Sequence, residues 1–221
     1  MERALVVGAS GGIGAALADA LTARGAEVRR LSRAGDGLDL RDPASIERAM
    51  GGVEGPFGLI LIATGILAPA GAAPEKALAQ IDAARMAEVM GVNAIGPALI
   101  LRHAARLLPR RARSAVGVLS ARVGSIGDNA LGGWHAYRAS KAALNQIVRG
   151  AAVELGRSHP QAVVAALHPG TVETPFTAGY TPAYGKIGPD TAAARLLGVL
   201  DGLAAGETGV FRDAEGRAVP W

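Results

Sequence analysis

The sequence predicts an α/β protein with a doubly wound parallel sheet, arranged as a three-layer α/β/α single domain. Short apolar runs alternate with longer stretches rich in alanine and leucine along the chain. The first run, Ala-Leu-Val-Val at 4–7, is typical of a strand buried on both faces. Strands that alternate with helices are joined by right-handed crossovers, which place helices on both faces of one sheet. We expect residues 1–221 to form one such domain.

The same alternation predicts the elements in chain order. A glycine-rich turn opens a helix that ends near Arg24, where Gly25 is placed to cap it. The long apolar stretch at 81–108 predicts a helix that is kinked or broken at Gly96-Pro97, because proline removes a helical hydrogen bond. Strands are expected at 27–32, 59–63, 115–120, 163–167 and 209–212, and further helices at 43–50, 137–156 and 191–203.

Composition argues against several kinds of partner. Half of the 221 residues are hydrophobic and 19% are charged, as in globular domains. The net charge of +4 is scattered, and its one dense cluster, Arg110, Arg111 and Arg113, is typical of a solvated helix end. The chain has no cysteine, its histidines and acids lack metal-ligand spacing, and its longest apolar stretch (58–73) is broken by Gly and Pro. We expect a cytoplasmic protein with no metal, no nucleic acid and no membrane partner.

A glycine-rich turn follows the first predicted strand. It reads Gly8-x-x-x-Gly12-x-Gly14, with Ser10 and Ile13 between the glycines, and leads directly into a helix. In Rossmann-type folds such a turn brings a phosphate to the free N–H groups of a helix N-terminus, at the carboxyl ends of the strands. Glycines also make ordinary turns, but strand, turn and helix in this order favour a dinucleotide site.

Three more motifs follow in order along the chain. Asn93 lies in Val-Asn-Ala-Ile-Gly-Pro, residues 137–141 are Tyr-Arg-Ala-Ser-Lys, and residues 169–174 are Pro-Gly-Thr-Val-Glu-Thr. With the glycine turn, the chain resembles the short-chain dehydrogenase/reductase family, and within it small carbonyl reductases and cell-signalling-factor-like members. The resemblance implies an NAD(P)-dependent oxidoreductase that moves a hydride between nicotinamide and a small carbonyl or alcohol substrate. Many members form homo-oligomers, so an oligomer is compatible with it.

Tyr137 and Lys141 are four residues apart, which places them on one face of a helix. A free phenol, with a pKa of about 10, is a poor acid or base near neutrality, and an adjacent ammonium lowers it. Tyr137 would then be the general acid in reduction and the general base in oxidation. An ordinary surface pair is the alternative for this spacing taken alone. The resemblance further implies that Lys141 holds the nicotinamide ribose and that Asn93 supports a water next to it.

Other cofactor contacts are implied by the resemblance alone. Asp39 and Leu40 would contact the adenine. The family's Asn-Ala-Gly after the fourth strand of its fold is replaced here by Ala63-Thr64-Gly65, which keeps the glycine and loses the amide. The nicotinamide would face four residues of the 169–174 segment: Pro169, Gly170, Val172 and Thr174.

The end of the second strand predicts the choice of cofactor. An acid there would hydrogen-bond a ribose 2′-hydroxyl and repel a 2′-phosphate. This chain has Ser32 at that position and Arg33 after it, and arginine suits a phosphate in charge and geometry. We therefore expect NADP(H) over NAD(H), with Arg30 a weaker candidate because it lies within the strand.

The serine that orients the substrate oxygen in the family is missing from its usual place. Ala121 occupies that position, and strand alternation directs Ser120 to the opposite side. Ser125 lies after Gly124 and twelve residues before Tyr137, so a turn could return its hydroxyl to the site. In the alternative, Ser125 caps a loop and the site works with Tyr137 alone.

The length of the chain bears on two rival functions. It has a short segment, about 176–189, where many relatives carry a larger substrate lid, and no room for the large substrate domain of epimerases or dehydratases. A non-catalytic nucleotide-sensing or signalling protein is the main alternative, because a fold alone does not establish a function. Intact Tyr137 and Lys141 favour the enzyme. The motifs leave open the substrate, the direction, the stereochemistry and the oligomeric state.

Overall fold

Six parallel strands form one sheet in the computed structural model, which describes residues 3–179 and 185–221. The order across the sheet is β2-β1-β3-β4-β5-β6. Chain order reverses direction at β1, so the switch point lies between β1 and β3. The strands are β1 (Arg3–Val7), β2 (Glu27–Leu31), β3 (Leu59–Ile62), β4 (Ser114–Leu119), β5 (Ala162–His168) and β6 (Val210–Asp213).

Helices connect the strands and cover both faces of the sheet. In chain order they are α1 (Gly12–Ala23), α2 (Arg33–Asp36), α3 (Pro43–Gly51), α4 (Ala83–Met90), α5 (Gly96–Leu101), α6 (Ala104–Leu107), α7 (His135–Ser158) and α8 (Pro189–Gly202). A π-helical turn, Gly91–Ile95, joins α4 to α5.

The side chains of each central strand alternate between two apolar cores. In β1, Leu5 and Val7 pack with residues of α3, α5 and α7, whereas Ala4 and Val6 pack with residues of α1 and α8. Successive side chains of a strand point to opposite faces, so one strand contributes to both layers. The predicted three-layer α/β/α domain is confirmed.

The long helical stretch differs from its prediction in one respect. The irregularity falls at Gly91–Ile95, just before the predicted break at Gly96-Pro97, and Pro97 lies inside α5. In a regular helix the carbonyl of Asn93 would accept from the N–H of residue 97, which a proline lacks. The missing bond weakens regular winding on the turn that carries Asn93.

By length and composition the stretch Ala83–Leu101 is apolar enough to cross a membrane, with a mean hydropathy of 1.2. It is part of a helical layer of this domain. Its α4 and π turn pack against α7, and its residues Ile100 and Leu101 belong to one of the two apolar cores. A core helix passes the same test, so this stretch is weak support for a membrane span.

The predicted lid at about 176–189 is only partly described, since residues 180–184 lie outside the described residues. On its near side Thr174 begins a 3₁₀ turn, Pro175–Thr177. On its far side Ile187 returns to the segment after β5, where its N–H donates to the Thr171 carbonyl at 3.0 Å. The two flanks are therefore hydrogen-bonded to each other.

Candidate active site

The glycine turn lies at the carboxyl edge of the sheet, between β1 and α1. The N–H groups of Gly8 and Ala9 donate to the Leu31 carbonyl at the end of β2, at 2.9 and 3.1 Å. Gly8 has a φ of +89°, in the region that favours glycine. A Cβ on Gly12 would lie 2.6 Å from the Thr174 methyl carbon, so the turn and the segment after β5 approach closely.

The N-terminus of α1 is open to an anion. Gly11 caps it without a side-chain hydrogen bond, and its first turn contains no acidic residue. Ser10 and Gly12 are exposed, Ile13 is half-buried and Gly14 is buried against the turn. Free N–H groups and the positive end of the helix dipole favour a phosphate, so this cradle fits the pyrophosphate of a dinucleotide.

The loop after β3 reaches the centre of the site through Gly65. A Cβ on this residue would lie 3.2 Å from Asn93 Oδ1 and 3.4 Å from Lys141 Nζ. In the same loop the N–H of Ala63 donates to the Val7 carbonyl at 2.8 Å, and the buried Thr64 hydroxyl has no hydrogen-bond partner. A buried hydroxyl without a partner at the carboxyl edge is consistent with a polar ligand there.

Asn93 is fully buried and ties this loop to α7. Its Oδ1 accepts from the Ile66 N–H at 2.8 Å, and its Nδ2 donates to the Ile66 carbonyl at 2.8 Å and to Ser140 Oγ at 3.0 Å. These bonds give the amide a structural role at the π turn. Its role in supporting a water stays a prediction.

Tyr137 and Lys141 lie side by side in the first two turns of α7. The Lys141 ammonium is 5.9 Å from the centroid of the phenol ring and donates to the Leu119 carbonyl at 2.9 Å. Both side chains are buried. Burial raises the pKa of Tyr137 above its ordinary value and lowers the pKa of Lys141 to about 8. The lowering of the phenol pKa expected from Lys141 is opposed by desolvation in this structure, and it stays a prediction.

Ser120, at the end of β4, and Ser125, in the turn after it, have different partners. Ser120 Oγ donates to Asn145 Oδ1 at 2.6 Å, on the α7 side of the sheet, and Ala121 is buried. Ser125 is 1% exposed, and its Oγ accepts from the Asp128 N–H at 3.0 Å. That contact matches the loop-capping alternative, although the Ser125 hydroxyl hydrogen is left to donate elsewhere.

Two substitutions separate the alternatives for Ser125. If Ser125 supplies the missing hydrogen bond, Ser125→Ala lowers kcat/KM about 10-fold or more, since a lost bond to a reacting oxygen is worth 1.5–3 kcal/mol. If Ser125 only caps the loop, the melting temperature falls and turnover changes little. Ala121→Ser is the matched gain-of-function variant, and raised activity there would identify position 121 as the site of the loss.

The end of β2 presents Arg33 as an exposed cation, the first residue of α2. Arg30 is directed elsewhere, because its guanidinium pairs with Asp19 at 2.8 Å. An acid does lie close by: Asp36 accepts from the Ser32 N–H at 2.9 Å, and it pairs with Arg29 at 3.0 Å.

The two residues predicted to contact the adenine lie beyond α2. The Asp39 carboxylate accepts from the Arg41 N–H at 3.0 Å and is half-buried. Leu40 packs under the π turn, where its Cβ would lie 2.8 Å from a Cβ on Gly96.

The segment after β5 continues the carboxyl edge. Pro169 is buried and Gly170 has a φ of +79°. Val172 is 2% exposed, and its backbone pairs with Ile187 across the base of the predicted lid. With Thr174 beside Gly12, the predicted nicotinamide contacts line the same edge as the glycine turn.

Three residues of the site were not predicted from the sequence. The Trp134 ring lies 6.3 Å from the ring of Tyr137, and the Phe176 ring lies 6.0 Å from it on a tilt. Glu75 contacts the start of α7, accepting from the Ala136 N–H at 3.3 Å. The Gly132-Gly133 pair was a signal for an unusual backbone before α7. Glu75 is 61 residues away from its partner and gave no local signal.

Comparisons with known proteins agree with this geometry. The family model described as Enoyl-(Acyl carrier protein) reductase matches residues 8–199. The chain is 31% identical over 233 residues to 1-hydroxy-2-glutathionyl-2-methyl-3-butene dehydrogenase of Rhodococcus sp. (strain AD45), covering 100% of both. The chain belongs to the short-chain dehydrogenase/reductase family.

Further relatives include both enzymes and a protein named as a signal. The family member C-signal of Myxococcus xanthus is 38% identical over 149 residues, which cover 66% of this chain and 84% of that protein. The NADPH-bound carbonyl reductase from chicken fatty liver superposes with a TM-score of 0.85 at 27% identity, covering 100% of this chain and 99% of that one. This short-chain dehydrogenase/reductase is an NAD(P)-dependent oxidoreductase that acts on a small molecule.

Proposed function

We propose that the enzyme transfers a hydride between NADP(H) and a small carbonyl or alcohol compound, with Tyr137 as general acid and base. The observation that carries this proposal is the Tyr137–Lys141 pair, buried beside Gly65 and Asn93 at the edge that also holds the glycine turn. A purely nucleotide-sensing protein needs the turn but has no use for a buried proton donor beside an ammonium.

Each residue has one task in the reduction direction. A nicotinamide bound at this edge would supply the hydride to the carbonyl carbon. The Tyr137 hydroxyl donates its proton to the carbonyl oxygen, so that no free alkoxide is formed. The Lys141 ammonium stabilises the phenolate left behind, because an opposite charge nearby favours the ionised form. Ribose hydroxyls fit the same ammonium, and Asn93 holds the loop that carries Gly65 against it.

The glycine turn would hold the cofactor at its pyrophosphate, and Arg33 would hold a 2′-phosphate. Arg33 supports NADP(H), since it is exposed at the end of β2 while the neighbouring Arg30 is paired with Asp19. Asp36 lies close to this end of β2 and would oppose a phosphate. Its charge is offset by Arg29.

Titration with NADPH and NADH tests the cofactor preference. Arg33→Ala is expected to raise the Kd for NADPH by about 10- to 100-fold, because a charge-assisted bond is worth 1.5–3 kcal/mol. The Kd for NADH should stay within about threefold, since it lacks the phosphate that the arginine binds. Arg30→Ala is the matched control and should leave both constants unchanged. Tighter binding of NADH by the wild type would overturn the preference.

A panel of ketones, aldehydes and alcohols, followed by NADPH and NADH absorbance in parallel, tests the reaction itself. Turnover of a carbonyl compound supports the proposal. Tight cofactor binding with no turnover across the panel would favour the nucleotide-sensing alternative.

A further inference from the structure

Trp134 has an unusual backbone conformation directly before α7. Among the described residues it is the one non-glycine with a positive φ, +51°, and it follows Gly132 and Gly133, which have φ values of +64° and +63°. Residues with a Cβ avoid this left-handed region, and a bulky side chain there is a genuine outlier. Such an outlier persists where surrounding contacts hold it, and these positions concentrate at functional sites.

Contacts from two sides hold Trp134 in place. The Glu75 carbonyl accepts from the Trp134 N–H at 2.5 Å, and the Glu75 carboxylate accepts from the N–H of Ala136, in the first turn of α7. On the other side, Arg138 Nε donates to the carbonyls of Gly132 and Gly133 at 3.1 and 3.0 Å. The Glu75 carboxylate and the Arg138 guanidinium thus both bond to backbone groups, and together they fix the turn that carries Trp134.

The indole is held against the proton donor. Its ring meets the Tyr137 ring nearly edge-on, at an interplanar angle of 66°, and the Phe176 ring approaches Tyr137 at 56°. Phe176 is 40% exposed, so its ring is accessible. A carbonyl oxygen bonded to the Tyr137 hydroxyl would bring its substituents beside these two rings. Neither ring carries a charge.

We propose that Trp134 and Phe176 form the walls of the substrate site and select a carbonyl compound with an aromatic ring next to the reacting carbon. Aromatic rings prefer edge-to-face or offset contact with one another, which this arrangement offers to a third ring. The proposal rests on the hydride transfer proposed above. It makes Trp134 a specificity-determining residue of that reaction.

Two methyl ketones test the proposal: acetophenone has an aromatic ring on the reacting carbon, and butanone has an ethyl group there. With NADPH, the wild type should prefer acetophenone to butanone by about 10-fold or more in kcat/KM, the scale of a well-packed hydrophobic contact. Trp134→Gly should reduce that ratio at least about 10-fold, and glycine accepts the left-handed backbone. Trp134→Asn is the second variant, since asparagine also tolerates this conformation. Trp221→Leu is the matched control; Trp221 stacks on Phe211, and its loss should leave the ratio unchanged.

Fluorescence gives a reading that does not depend on turnover. Acetophenone should quench tryptophan emission in the wild type and in Trp221→Leu, and the quenching should be lost in Trp134→Gly. A wild-type ratio near one, a preference for pyruvate, or a ratio unchanged in both Trp134 variants would overturn the inference and leave hydride transfer standing. Trp134-dependent quenching without turnover of any ketone would instead contradict the proposed function, and it would still support Trp134 and Phe176 as the walls of a binding site.

Discussion

Tyr137→Phe is expected to fold, to bind NADPH as the wild type does, and to lose about 10²- to 10⁴-fold in kcat, the usual contribution of a general acid or base. The substitution removes one oxygen and keeps the ring between Trp134 and Phe176. The proton then has to come from water, which no side chain positions as the phenol positions its hydroxyl. Steady-state reduction of a ketone found in the panel, with NADPH titrated by fluorescence, measures both quantities.

Stability separates a chemical effect of Tyr137→Phe from a structural one. Tyr137 is 7% exposed, and phenylalanine keeps the buried ring and its contacts with Trp134 and Phe176. The melting temperature should therefore stay close to that of the wild type. Turnover within about threefold of the wild type would remove Tyr137 from the mechanism, since a general acid contributes far more.

Lys141→Met is expected to lower kcat/KM by about 10²-fold or more while it stabilises the fold. Lys141 is 3% exposed, and this burial lowers its pKa from 10.5 to about 8. A charge held at neutral pH in such a place costs stability, and methionine fills similar space without one. The lost bond to the Leu119 carbonyl offsets part of the gain, leaving on the order of 1–2 kcal/mol.

The pH dependence of unfolding identifies the charge as the cause. Between about pH 8 and pH 10 the unfolded chain keeps the Lys141 proton while the folded protein has released it. Raising the pH disfavours the state that binds more protons, which is here the unfolded state. The free energy of unfolding therefore increases through this window. That increase should be absent in Lys141→Met and present in Lys76→Met, an exposed lysine used as the control. A variant less stable than the wild type at pH 7 would contradict this account.

The fold and the polar edge of the site were predictable because their signals are local. Buried parallel strands are continuous apolar runs, which located β1 and β3, and parallel pairing then brings the residues after each strand to one edge. Spacing along one helix was enough to place Lys141 beside Tyr137.

The aromatic part of the site was not predictable, because it depends on contacts between distant segments. Trp134 owes its backbone to Glu75, on another loop, and Phe176 reaches Tyr137 from the segment after β5. No periodicity links these positions. The π turn was missed for a related reason: the sequence shows where a proline removes a bond, but tertiary packing decides which neighbouring turn absorbs the irregularity.

The π turn between α4 and α5 amounts to a one-residue insertion in an α-helix. Deleting any one of residues 91–95 would restore regular winding, and each residue of such a helix accounts for about 100° of rotation. Everything on one side of the deletion would then turn by that angle relative to the other. Either Asn93 would leave the Ile66 backbone, or Ile100 and Leu101 would leave the core. The extra residue lets Asn93 face the site while Ile100 and Leu101 face the core, which a regularly wound helix could not do.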